Sequence, residues 1–391
     1  MAAFGDAGHA FPAIALARAL HRRGNQVVIE TWERWRQPIE NLGLSFEAAE
    51  GYKVFPPPPS DGSGGPTAAD AAIALSPLFE RFKPHLVVSD ILTVAPALAA
   101  EVAGVRRATL VPHIWPVHQP GLPFFAFGMM PPRTAIGRAA WRRGGRVLEN
   151  GLRRGRDELN AERIRLGLAP TTALYGGISD RLALVATLPQ LEYPRNWPEG
   201  VEVVGPLHFE IPYPDIELPP GDRPLVLVAP STAQDPEGRL LRATLEGLAD
   251  EPVRVVATTN HNVRGEAAIV PPANAVCVEW LSYSQLMPAA SLVICHGGHG
   301  TVARALAAGV PTLVCPAVGD MAETGIRIAW SGCGLNLPFR LTRPGPIRWA
   351  TRRLLSERRF AGRAAAAASW AAGNDSASHS AGLVERAADA G

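Results

Sequence analysis

Apolar positions along this chain follow two rhythms. Short, largely β-branched apolar runs alternate with stretches in which apolar residues return every three to four positions. Val27-Val28-Ile29, Leu86-Val87-Val88-Ser89-Asp90 and Ala108-Thr109-Leu110-Val111 are of the first kind and read as strands buried on both faces. Residues 10–23 place Ile14, Leu16, Ala17 and Leu20 on one face and close on Arg22, Arg23 and Gly24, which predicts a helix. A second helix is predicted over 95–103. Strand, glycine turn, helix and strand make a βαβ unit, hence a parallel sheet. Met1-Ala2-Ala3-Phe4 supplies only the tail of a first strand, where roughly five or six residues are usual. Either the first strand is short or the natural start lies upstream.

The alternation resumes after a break. Residues 205–223 carry Gly205, Pro206, Pro212, Pro214, Pro219, Pro220 and Gly221, the composition of a linker. Beyond it, strands are predicted at 225–228, 253–256, 275–278, 292–295 and 312–315, and helices over 346–372 and 376–389. The expected class is α/β, with two doubly wound Rossmann-like domains facing across a cleft. The boundaries are 1–205, a linker at 206–223, a second domain at 224–372, and a C-terminal helix in 373–391 that packs back towards the first domain. Pro56 to Pro66 reads as a mobile loop. Residues 120–160 differ: Phe124, Phe125, Phe127, Met129 and Met130 precede an arginine-rich stretch around Trp141. That is a solvated helix face beside an apolar ligand wall, or a basic segment with weak membrane-surface contact.

Bulk properties narrow the field. With 391 residues, 47% hydrophobic and 19% charged, the chain is globular and too long for one ordinary core. A net charge of +2 argues against nucleic acid as the main partner. The four cysteines include no C-x-x-C pair, so they read as small buried apolar residues in a reducing compartment. No membrane span and no secretion signal are visible, and a cytoplasmic monomer or homodimer is expected.

The candidate chemistry concentrates in 295–321, CHGGHGTVARALAAGVPTLVCPAVGDM. Gly298-His299-Gly300-Thr301-Val302-Ala303 fits a dinucleotide fingerprint. That reading wants an acid at the tip of the next strand, but Asp320 falls in a loop beyond Pro316. A second reading uses the same physics for a nucleotide-sugar diphosphate. Gly297, Gly298 and Gly300 let the backbone come close, and a helix beginning near Thr301 offers free N–H groups. His296 and Thr301 donate to phosphate oxygens, and Asp320 accepts from sugar hydroxyls. No metal or other cofactor is called for. In the first half, His9 stands in a strand-to-helix turn and Asp90 ends a strand, so both reach one sheet edge. A histidine there can take a proton near neutral pH; the alternatives are a capping or structural role for His9 and a helix cap for Asp90.

At these residues the chain resembles the family 1 glycosyltransferases of the GT-B fold, in their bacterial antibiotic and macrolide branch. His296 to Thr301, Ala308-Gly309-Val310-Pro311 and Gly319-Asp320 are similar to the family's donor signature. Gly8-His9-Ala10-Phe11-Pro12 resembles its N-terminal Gly-His-x-x-Pro turn. Val228-Ala229-Pro230-Ser231-Thr232 resembles its phosphate loop, and Val278-Glu279-Trp280-Leu281 its nucleobase segment. The resemblance implies an inverting, metal-independent transferase with His9 as general base and Asp90 orienting it. Ser231, Thr232, Trp280, Leu281, His296, Gly297, Gly298, His299, Gly300, Thr301, Asp320 and Met321 would hold the donor. Phe11, Trp115, Phe124, Phe125 and Phe127 would meet a small apolar acceptor.

Two departures bear on the donor. Members that use UDP-sugars carry a ribose-binding glutamate where this chain has Arg304, and an arginine cannot accept from a diol. The usual Asp-Gln pair reads Asp320-Met321. Both favour a TDP-deoxysugar over a UDP-sugar. They also leave open a non-catalytic auxiliary homologue that stabilises a partner enzyme, and a UDP-sugar transferase with a lipid acceptor.

Overall fold

The computed structural model describes residues 1–49, 67–214, 216–230, 235, 237–259, 269–317 and 319–390. The 56–66 segment, expected to form a loop, falls outside them. The first half runs α1 (Ala7–Arg22), β1 (Val28–Thr31), α2 (Arg36–Glu40), β2 (Ser45–Ala48), α3 (Ala68–Ala74), α4 (Ser76–Phe82), β3 (Leu86–Asp90), α5 (Val94–Val102), β4 (Arg106–Val111), α6 (Ala135–Arg165), β5 (Ala183–Val185) and β6 (Val201–Val203). All pairings are parallel, in the orders β1-β2 and β3-β4-β5-β6. Ala2 joins the two groups by bridging Glu30 on one side and Ser89 on the other. Its N–H donates to the Val88 carbonyl at 2.9 Å and the Ala3 N–H to the Glu30 carbonyl at 3.0 Å. The first strand is therefore only a few residues long, yet central.

The second half holds β7 (Leu225–Ala229), α7 (Arg239–Leu248), β8 (Arg254–Thr258), β9 (Ala275–Val278), α8 (Tyr283–Leu286), β10 (Leu292–Cys295), α9 (His299–Ala307), β11 (Thr312–Val314), α10 (Asp320–Ser331) and β12 (Gly334–Asn336). Then follow α11 (Pro344–Ser356), α12 (Arg358–Ala372) and α13 (Ser376–Asp389). The single helix expected over 346–372 is broken at Glu357, whose extended backbone separates α11 from α12. The sheet order is β9-β8-β7-β10-β11-β12, all parallel, with the reversal between β7 and β10. That is the doubly wound order of a nucleotide-binding domain.

Three of the four cysteines are buried and Cys277 is half-buried. Burial pushes the Cys295 thiol up to about 12, so these thiols behave as small apolar residues. Phe209, early in the linker, packs into the first core, while Ile216 and Leu218 pack on the second. Helix α13 returns to the first half, where Ala381 and Val384 join its core. Glu385 accepts from Arg23 at 2.6 Å and Asn25 at 2.7 Å. A buried ion cluster ties the halves together. Arg327 of α10 donates from Nε to Glu323 at 2.8 Å and from a terminal nitrogen to the Leu191 carbonyl at 3.0 Å. It also reaches Glu192, and its guanidinium lies 3.4 Å from the centre of the Tyr193 ring.

Candidate active site

Strand order reverses at Ala2 in the first sheet, and ligands of open α/β sheets sit outside the strand ends at such a point. The chain leaves Ala2, turns through Gly5-Asp6 and enters α1. The turn is pinned because the Gly5 carbonyl accepts from the Trp35 indole at 2.8 Å and from Arg34 Nε at 3.1 Å. His9 is the third residue of α1 rather than part of the preceding turn. Its Nδ1 lies 2.7 Å from Oδ2 of Asp90, the last residue of β3. The other Asp90 oxygen accepts the Leu92 N–H at 2.7 Å. Thr93, not Asp90, is the cap residue of α5. A carboxylate only accepts, so Nδ1 carries the proton and Nε2 keeps its lone pair. Burial opposes a charge on His9, but the Asp90 carboxylate and its hydrogen bond outweigh it. The ring is held above the ordinary histidine value.

His113, two residues past β4, completes this cluster and was not singled out in the sequence. Its ring meets His9 edge-on at 5.9 Å, and Phe125 stacks on its other side at 5.6 Å. Nδ1–H donates to the Ile114 carbonyl at 2.7 Å. Burial, then the neighbouring His9, hold it below the ordinary value. The available signal was its place just beyond a strand ending at the same sheet edge as Asp90.

The second reversal lies across the cleft. β10 ends at Cys295, and His296-Gly297-Gly298 lead into α9. Gly297 has φ +92°, and a Cβ there would stand 2.7 Å from a Val314 methyl and 2.9 Å from the Met321 carbonyl. A Cβ on Gly298 would meet His296 Nε2 at 2.8 Å. Among the described residues no side chain caps helix α9, and none comes within 4 Å of where a Cβ on Gly300 would stand, so its first-turn N–H groups are available to an anion. Thr301 lines the same cavity. Asp320 is exposed at the start of α10 rather than within a loop. Ser231 and Thr232 fall outside the described residues.

Two histidines behave differently from expectation. His296 Nδ1 is 3.3 Å from the Ala229 carbonyl, which can only accept. The neutral ring therefore offers Nε2 as an acceptor, and burial keeps it neutral. It can donate to a phosphate only after gaining a proton, which an adjacent dianion favours. His299 lines the same cavity as Gly298 and Gly300, but its Nε2–H is taken up by the Ala186 carbonyl of the first half at 3.3 Å. Burial pushes it down to about 3, which keeps the ring neutral.

A cavity of about 210 Å³ joins the two sides, walled by Gly8 and Phe11 of α1, by Trp280, and by His296, Gly300 and Thr301. Trp280 is half-buried in this wall with Tyr213 tilted over it at 6.5 Å, while Leu281 is core. Phe11 was expected at the acceptor. It instead borders the cavity beside α9 and packs between Trp35 and Phe209 at 5.0 and 5.4 Å. Trp115 was also expected there, but it is only 4% exposed and fills the core beneath Trp197. Its backbone N–H donates to Glu192 at 2.7 Å, and the indole packs in a cluster with Val111, Ala183 and Val185. Phe125 points to His9 through His113; Phe124 clusters with Phe127 and Trp141 further out, and Phe127 is largely exposed. Helix α6 buries little besides Gly145, the solvated face expected of its arginines. Among the described residues no helix is long and apolar enough to cross a membrane.

Known proteins are similar to this chain over most of its length. 4'-Demethylrebeccamycin synthase of Lentzea aerocolonigenes is 30% identical over 393 aligned positions, 90% of each chain. The chain belongs to the GT-B glycosyltransferases of antibiotic biosynthesis. L-demethylnoviosyl transferase of Streptomyces niveus is similar over 90% of this glycosyltransferase at 26% identity, spanning 91% of its own length. Residues 242–385 match the C-terminal domain of erythromycin biosynthesis protein CIII-like proteins. The glycotransferase of kitacinnamycin has a similar fold, with a TM-score of 0.78 at 18% identity over 99% of this chain and 97% of that one. The glycosyltransferase VinC, in complex with dTDP, superposes with a TM-score of 0.70 at 20% identity over 100% and 99%.

Proposed function

We infer that this glycosyltransferase inverts the anomeric centre of a nucleotide-sugar, without a metal, using His9 as general base. The observation that carries this reading is the 2.7 Å His9–Asp90 contact at one switch point, facing an uncapped glycine-rich helix start at the other. The Asp90 bond leaves Nε2 of His9 as the free base for an acceptor hydroxyl. The deprotonated oxygen attacks the anomeric carbon in line, and the nucleoside diphosphate departs. Its charge falls on the N–H groups of α9 and on His296, which becomes a donor once it has taken up a proton from solvent, a protonation that the adjacent diphosphate charge favours. Asp90 stabilises the imidazolium that forms at His9.

A TDP-sugar donor is supported by Arg304 in the cavity wall, where no carboxylate stands on α9 to take a ribose diol. The dTDP complex of the VinC relative agrees with that choice. Phe125, stacked beside the histidine pair, supports a largely apolar natural product as acceptor. The test is a screen of TDP- and UDP-sugars against pooled polyphenol and polyketide acceptors, read by mass spectrometry with and without EDTA. Transfer that persists in EDTA and disappears in His9→Ala is expected. Wild-type turnover in His9→Ala sinks the base assignment. Binding of neither TDP nor UDP, with no transfer, favours the auxiliary role instead.

A further inference from the structure

The linker does more than join the two sheets. Leu207, His208, Glu210 and Ile211 all line the cavity that holds Trp280, His296 and the start of α9. Two of the four carry unused hydrogen-bonding capacity. Glu210 accepts the Tyr283 N–H at 2.6 Å on one oxygen. Its other oxygen accepts the Ser282 hydroxyl and the Ser284 N–H, each at 3.1 Å. A terminal nitrogen of Arg304 stands 3.8 Å from that oxygen, an ion pair beyond hydrogen-bond reach. An ionised carboxylate offers about four lone-pair positions, so one remains. His208 Nε2 is buried with no hydrogen-bond partner among the described residues. The linker thus presents two unsatisfied acceptor or donor positions inside a cavity whose α9 wall has an arginine and no acid.

We propose that Glu210, supplied by the linker rather than by α9, accepts the 3′-hydroxyl of the donor's nucleoside sugar, and that Arg304 holds its carboxylate in place. This rests on the donor-site reading above. Burial removes water as an alternative partner, so the Arg304 guanidinium, anchored on the Phe209 carbonyl, needs a fixed anion beside it. Glu210 is that anion, and its N–H bonds lock it onto the segment that follows Trp280. One free lone pair matches one hydroxyl, the number that a 2′-deoxyribose esterified at its 5′ position presents. The acid has moved from the helix to the linker, and with it the number of hydroxyls it can satisfy.

The experiment is calorimetry on the full chain with thymidine diphosphate and its 3′-deoxy analogue. The wild type binds the analogue about tenfold more weakly, the order of one hydrogen bond to a charged group. In Glu210→Ala both nucleotides lose affinity, but the gap between them closes to within about twofold. A merely structural Glu210 weakens both equally and leaves the gap intact, which overturns the proposal. Glu210→Gln keeps a side-chain acceptor for the 282–284 segment and narrows the gap to a few-fold; should the alanine variant fail to fold, this variant decides. Equal binding of the two nucleotides by the wild type overturns the proposal while the donor site stands. Failure of the wild type to bind thymidine or uridine diphosphate overturns the donor site itself, and this proposal with it.

Discussion

Replacing Asp90 by asparagine tests the catalytic reading at its weakest point. The carboxylate has two tasks, one per oxygen: the Leu92 N–H at 2.7 Å and His9 Nδ1 at 2.7 Å. Asparagine can keep the first with its carbonyl. Its amide then faces His9 with a donor, which forces the proton from Nδ1 to Nε2 and removes the base's lone pair. A charge-assisted hydrogen bond of this kind contributes about 1.5–3 kcal/mol, or roughly ten- to a hundredfold. The wrong tautomer adds to that, so the loss in kcat approaches the about 10²–10⁴-fold expected for removing a general base altogether. The pH profile supplies an independent reading. His9 must be neutral to act, and Asp90 holds it above the ordinary value. The acid limb of kcat/KM therefore lies above about 6.5 in the wild type. Without the carboxylate, burial is opposed only by the lesser pull of Asp6 and Asp320, and the limb moves to lower pH in Asp90→Asn. Initial rates between pH 5 and 9, with TDP affinity measured alongside to show an intact donor site, check both expectations. Undiminished kcat, or an acid limb that stays in place, refutes the dyad.

Two further outcomes follow from buried charge. Arg327→Ala leaves Glu323 without its 2.8 Å partner inside the interface between the halves, with both side chains almost fully buried. A cost of about 3–5 kcal/mol is expected, read as a lower urea midpoint; an unchanged midpoint means that the pair is hydrated in solution. His208 and His299 are both pushed down to about 3, chiefly by burial, against an unfolded value near 6.5. Between those values the unfolded chain binds more protons, so stability falls with pH, each histidine contributing about 1.4 kcal/mol per pH unit. His9 has the opposite sign: its contribution is complete below about 6.5 and is lost as pH rises through its raised folded value. Urea titrations at pH 7, 6 and 5 should show the decline on the acid side, and a flat series contradicts it.

Much of the architecture was legible because parallel strands buried on both faces leave uninterrupted apolar runs. Leu86–Asp90 and Leu292–Cys295 are readable to the residue; Ala275–Val278, an edge strand half-buried along most of its length, was legible from its apolar run alone. Short strands such as Val201–Val203 and Ala183–Val185 left no run long enough to notice. The central first strand was half-visible for the same reason: Ala2 and Ala3 take their bonds from neighbours 27 or more residues away.

Residue chemistry and spacing by themselves determined that the chain holds two doubly wound sheets, a histidine and an acid at one edge, and a glycine-rich helix start at another. Those features are local, written in strand runs, turns and caps. Only the tertiary structure decided what each side chain faces. Hydrogen bonds with carbonyls set the tautomers of His296 and His299. Packing with Val111, Ala183 and Val185 buried Trp115, and the 206–223 segment set Glu210 beside Arg304, 94 positions further along the chain. Such outcomes depend on which backbone comes to lie within about 3–4 Å, a relation between distant segments that local spacing does not encode.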